Sequence, residues 1–122
     1  MARRDITGAV NFKHLETYAA GDQAVVDEVL ALFREQASMW MRLLDPVAEG
    51  WRDAAHALKG SSLGIGAFTL ADECEAAERA TNPAERALLA QSIRDALEAA
   101  LSDIAAYTHE QALRSLKSPP RR

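Results

Sequence analysis

Apolar residues recur along this chain at the three- and four-residue spacing of a helical face, in stretches separated by glycine, proline and capping residues. The first stretch is short. Phe12, Leu15, Tyr18 and Ala19 follow Asn11, which is placed to cap their helix. Gly21-Asp22 breaks it, and Asp22 can cap a second, longer helix. There Val25, Val26, Val29, Leu30, Leu32, Phe33, Ala37, Trp40, Leu43 and Leu44 keep helical spacing, while Asp27, Glu28, Arg34 and Glu35 form a solvated side. Asp45-Pro46 ends this helix, because proline lacks an N–H and disfavours helical backbone at the residue before it. Gly50 closes the connection, and a third helix begins near Trp51. Gly64 and Gly66 mark its end, and Phe68, Leu70, Ala71, Cys74, Ala77 and Glu78 lie along a fourth. In Thr81-Asn82-Pro83-Ala84-Glu85, Asn82 is the cap, Pro83 the first helical residue and Glu85 the third past the cap. The last helix carries Leu88, Leu89, Ile93, Leu97, Ala100, Leu101 and Ile104 on one stripe and runs to near Leu113; Ser118-Pro119-Pro120 cannot continue it.

Long amphipathic helices with short joins predict an all-α fold, an antiparallel up-down-up-down four-helix bundle with a short additional N-terminal helix. The expected organisation is an N-terminal tail over 1–10, frayed and without periodicity, a bundle over 11–114, and a C-terminal tail over 115–122. At 122 residues the chain can bury a core without staples, and its 48% apolar content, mostly Ala and Leu with only 6% aromatic residues, favours packed helices over strands. Fourteen basic against eighteen acidic residues give a net charge of −4, which disfavours a nucleic-acid role. The single cysteine, Cys74, lies on an apolar stripe and reads as a small buried hydrophobe. With no signal peptide and no apolar run long enough to span a bilayer, the expected location is the cytoplasm, away from the membrane.

The third helix breaks the pattern of simple packing. At about 100° per residue, Arg52, His56, Lys59, Gly60 and Leu63 fall within about 100° of one another, opposite Trp51, Ala54, Leu58, Ser61 and Ile65. His56 therefore points at water, one turn from a lysine. Glycine within a helix costs about 1 kcal/mol relative to alanine, so Gly60 implies that something approaches the backbone beside His56. Zinc is set aside, since no second His or Cys stands at ligand spacing from His56. Gly64-Ile65-Gly66-Ala67-Phe68-Thr69 follows no strand and lacks the last glycine of a dinucleotide fingerprint, and no Gly-Lys-Ser/Thr closes a P-loop. His14 and His109 read as ordinary surface or boundary residues, Ser61 and Ser62 as packing or local hydrogen bonding with Ser61 on the buried side, and Glu75 and Glu78 as solvated surface.

The run Ala55-His56-Ala57-Leu58-Lys59-Gly60-Ser61-Ser62, followed by Gly66-Ala67 and then Leu70, Cys74 and Glu78, resembles the signature of histidine-containing phosphotransfer (HPt) domains. Gly21-Asp22 opening a helix with Val29, Leu30 and Phe33 fits the same family, and the resemblance covers residues 12–110; the connection from Asp45 to Gly50 is short for it.

The resemblance implies a phosphorelay intermediate of a two-component system, a carrier rather than an enzyme with ATP-dependent kinase activity. His56 would take a phosphoryl group from an aspartyl phosphate on a response-regulator receiver domain and pass it to another receiver. Lys59 would stabilise phosphoryl charge, and Gly60 would be kept bare for docking, with Arg52 helping to steer the partner. Leu63, Gly64 and Phe68 would extend an apolar patch where a receiver helix rests. The implied partners are receiver domains and a hybrid histidine kinase. No cofactor is expected on this chain, Mg²⁺ belonging to the receiver, and the expected state is a monomer. Independently of the family, a neutral imidazole is a competent nucleophile near neutral pH, and the outer ring nitrogen Nε2 is the expected attacking atom. The sequence leaves the tautomer open. The competing reading is a helical adaptor that binds a kinase or regulator without being phosphorylated.

Overall fold

The computed structural model describes residues 7–117 of the 122-residue chain. Its helices are α1 (Phe12–Tyr18), α2 (Gln23–Arg42), α3 (Trp51–Ile65), α4 (Phe68–Arg79) and α5 (Pro83–Lys117). Each of the last four packs on its neighbour in the chain, and α2 also packs on α5, closing a four-helix bundle that α1 covers along α2 and α3. The predicted helix starts are built as expected. Asn11 accepts from the His14 N–H, Asp22 from those of Ala24 and Val25, and Asn82 from those of Ala84 and Glu85.

The core runs through Leu15, Val26, Leu30, Phe33, Trp51, Leu58, Ile65, Leu70, Cys74, Ile93 and Ile104. Burial pushes the Cys74 thiol up to about 12, so at neutral pH it is an unreactive packing group. Trp51, fully buried at the start of α3, donates from Nε1 to the Ala77 carbonyl at 2.7 Å, and the Arg86 guanidinium lies 5.3 Å over its ring. This hydrogen bond fixes the register of the last turn of α4 against the first turn of α3. The turn between them is tight. Gly66 adopts a left-handed conformation, φ +86°, and a Cβ there would come 2.7 Å from the Asn11 backbone oxygen, so both the backbone and the packing require glycine.

Several expectations change. The segment read as a frayed N-terminal tail is packed from Thr7 onward. Val10 is buried, the Asn11 N–H donates to the Gly66 carbonyl at 2.9 Å, and the N–H groups of Thr7 to Val10 converge on Asp103; residues 1–6 lie outside the described residues. At the other end α5 continues past Leu113 to Lys117, because Arg114, Ser115, Leu116 and Lys117 include no helix breaker. Ser62, not Ser61, is the fully buried serine, its hydroxyl donating to the Leu58 carbonyl at 2.7 Å. Helix α3 is covered by both α2 and α4, which turns its buried arc toward Ala55 and Ser62 and leaves Ser61 half-buried against Gln36. Tyr18, Val25, Leu32, Leu43 and Leu88, expected on the apolar stripes, are exposed, and Tyr18 and Leu32 line a groove at the surface.

Candidate functional site

The exposed face of α3 is assembled as the helical spacing predicts. Arg52, His56, Gly60, Leu63 and Gly64 are exposed, and Lys59 is half-buried beside them. The His56 ring is 68% exposed, and its Nδ1 lies 2.8 Å from Oε2 of Glu78. The other carboxylate oxygen of Glu78 lies 2.8 Å from the Lys59 ammonium. One carboxylate on α4 thus holds the two polar side chains of α3 that define the motif. The hydrogen bond with Lys59, ahead of that with His56, keeps the Glu78 carboxyl below its usual range, with partial burial opposing. The same bond to Glu78 holds the Lys59 ammonium above its usual range. Glu78 is therefore ionised at neutral pH.

An ionised carboxylate only accepts hydrogen bonds, so the proton of a neutral His56 ring sits on Nδ1 and the lone pair on Nε2. The tautomer left open by the sequence is decided by a residue on the next helix. Glu78 was read as solvated surface, and this is a correction: it extends the stripe of Ala71 and Cys74 that faces α3, a position where a carboxylate meets the neighbouring helix rather than bulk water. Glu75 fits the solvated reading and pairs with Arg79.

Gly60 and Gly64 lie in the helical interior of α3, yet a Cβ at either would meet nothing within 4 Å. Nothing among the described residues requires glycine at these positions, and both leave the surface of α3 bare beside His56. Beside them an open apolar groove of about 490 Å³ runs between α1, α2 and α3, walled by His14, Tyr18, Val29, Leu32, Leu63 and Gly64. Phe68 lies at its margin, 42% exposed, with its ring 5.3 Å edge-on from His14. Leu63 and Gly64 of the expected patch line this groove, which takes one wall from α1 and another from α2. His14 and Tyr18, read from the sequence as unremarkable and as core, belong to it.

A solvent-facing imidazole whose inner nitrogen is tied to a carboxylate, on a helical bundle with an adjoining face of bare and apolar residues, is the arrangement of a histidine phosphocarrier of phosphorelays. The chain belongs to the Hpt domain family, whose family model matches residues 26–107. Among solved structures it is similar to histidine phosphotransferase ShpA from Caulobacter crescentus, with 56% identity over 90% of this chain and 100% of that chain and a TM-score of 0.75. A comparison with curated protein sequences finds no match. Among the described residues, no helix is long and apolar enough to cross a membrane.

Proposed function

We propose that His56 is the phosphoacceptor, carrying a phosphoryl group between aspartyl-phosphate receiver domains. The observation that carries this reading is the pairing of Nδ1 with Glu78, which leaves a lone pair on the exposed Nε2. In the transfer, Nε2 attacks phosphorus, the N–P bond forms, and the P–O bond of the acyl phosphate breaks to release the receiver's aspartate as a carboxylate. Nδ1 keeps its proton throughout, so no general base is needed, and the reverse transfer follows the same path. Lys59 supplies positive charge one turn away, against the negative charge that spreads over the equatorial phosphoryl oxygens. Arg52, exposed one turn before His56, adds to the field that attracts a phosphorylated partner.

In this reading the receiver brings Mg²⁺ and the aspartate, and the chain itself uses no cofactor, performs no ATP chemistry and works as a cytoplasmic monomer. Its partners are response-regulator receivers and a hybrid histidine kinase. Gly60, Leu63, Gly64 and Phe68 are where the receiver rests.

The test is phosphoryl transfer at neutral pH from a panel of phosphorylated receivers, comparing wild type with His56→Gln. Transfer that vanishes in His56→Gln is the expected result. Binding of a receiver or kinase without labelling of the wild type by any donor would replace the carrier by an adaptor.

A further inference from the structure

The most deeply buried charged group in the described chain is remote in sequence from the phosphoacceptor and takes no part in its chemistry. Asp103 on α5 is fully buried. Its Oδ1 accepts from the Thr7 N–H at 2.8 Å and the Thr7 hydroxyl at 3.1 Å. Its Oδ2 accepts from the N–H groups of Gly8 at 3.1 Å, Ala9 at 2.9 Å and Val10 at 3.4 Å. Successive backbone N–H groups form a concave anion site. A buried carboxylate is costly unless its lone pairs are satisfied, so Asp103 and this strap require one another.

The strap continues directly into α1. Asn11 donates its N–H to the Gly66 carbonyl at the end of α3 and caps α1 with its side chain. Phe12 stacks on Tyr107 of α5 with centroids 4.2 Å apart, and the Tyr107 hydroxyl donates to Glu16 at 2.8 Å. Helix α1 has only seven residues, far fewer than the dozen or so a helix needs to persist unaided. Its placement is therefore decided by these anchors, and His14 and Tyr18, which wall the docking groove, go where α1 goes.

We propose that Asp103 is a positioning residue for receiver recognition: by clamping Thr7–Val10 it holds α1 as a preformed wall of the groove beside His56. This rests on the groove being the receiver's resting place. A wall that is already in position spares the complex the cost of ordering it on binding. Asp103 then acts on recognition and not on the nucleophile.

The full chain carrying Asp103→Asn tests this with three readouts: amide hydrogen exchange across residues 12–18, the KM and kcat of transfer from a phosphorylated receiver, and labelling of His56 by phosphoramidate, a small donor that needs no docking surface. Expected are faster exchange in α1, a KM raised by about fivefold or more, and kcat and phosphoramidate labelling within about twofold of wild type. Unchanged exchange overturns the clamp. Faster exchange with an unchanged KM overturns its role in recognition, and a parallel fall in phosphoramidate labelling assigns Asp103 to general integrity instead. Should Asp103→Asn fail to fold, Thr7→Val, which removes only the hydroxyl donor to Oδ1, carries the same comparison. Wild type that neither phosphoramidate nor any phosphorylated receiver labels at His56 would refute the carrier reading itself, a result distinct from all of these.

Discussion

Nδ1 of His56 and Oε2 of Glu78 lie 2.8 Å apart across the α3–α4 interface, and this contact sets the lone pair of a neutral His56 ring on the exposed Nε2. Glu78→Gln keeps an acceptor for Nδ1–H but removes the charge that holds Lys59, whereas Glu78→Leu removes both. Transfer to His56 should therefore fall modestly in Glu78→Gln and by about tenfold or more in Glu78→Leu, where ring orientation and tautomer are both released. Imidazole ¹⁵N shifts check the cause: the Nδ1–H tautomer should dominate in wild type and lose its predominance in Glu78→Leu.

Gly60 has open space around it, so adding a methyl group strains nothing within the protein. Gly60→Ala should raise stability by about 0.5–1 kcal/mol through helix propensity alone. It should also slow transfer from receivers if, as proposed, the receiver docks against this face. Urea denaturation and transfer kinetics on the same sample measure the two effects, and a variant that is more stable yet transfers at the wild-type rate would remove the docking role of Gly60.

Leu63 is 46% exposed on the groove beside His56. Leu63→Asp should leave folding within about 0.5 kcal/mol of wild type, as is usual for exposed positions. Desolvating the new carboxylate on docking should weaken receiver binding by about tenfold or more. Unchanged rates with every receiver would dispose of the apolar patch while leaving His56 in place.

The pH dependence of stability follows from the signs at Glu78 and Lys59. Glu78 titrates lower in the folded protein than in the unfolded chain, so its contribution is present above the ordinary carboxylate value and is lost as pH falls through the lowered one. Lys59 titrates higher when folded, so its contribution is present below the ordinary lysine value and is lost as pH rises through the raised one. The stability difference between wild type and Glu78→Gln should thus shrink below about pH 4 and shrink again above about pH 10.5. Urea midpoints across that range provide the measurement. A difference that persists unchanged at pH 3 would mean that the ion pair does not stabilise the fold.

Much of this architecture is legible one helix at a time. Asn11, Asp22 and Asn82 each satisfy N–H groups two or three residues downstream, Asp45-Pro46 ends α2 through backbone restriction, and the spacing of Trp51, Ala54, Leu58 and Ile65 orients α3 so that His56 meets water. These are interactions within about one helical turn, and the order of residues is enough to specify them. The motif His56, Lys59 and Gly60 is of the same kind, since its members share one face of one helix.

The remaining features depended on how helices rotate and slide against one another. Glu78 reaches His56 because the Trp51–Ala77 hydrogen bond sets the register of α4 on α3. Asp103 occupies a core position of α5, three residues after Ala100 and four before Tyr107, but its partners lie 93 to 96 residues away in a segment without periodicity. Ser62 is buried in place of Ser61 because α3 is covered from two sides, and Tyr18 is exposed on the wall of a groove that α2 and α3 complete. Helical periodicity reports the direction of a side chain relative to its own axis; what stands opposite is decided only when separate helices pack, and there the tautomer of His56 and the walls of the groove beside it are set.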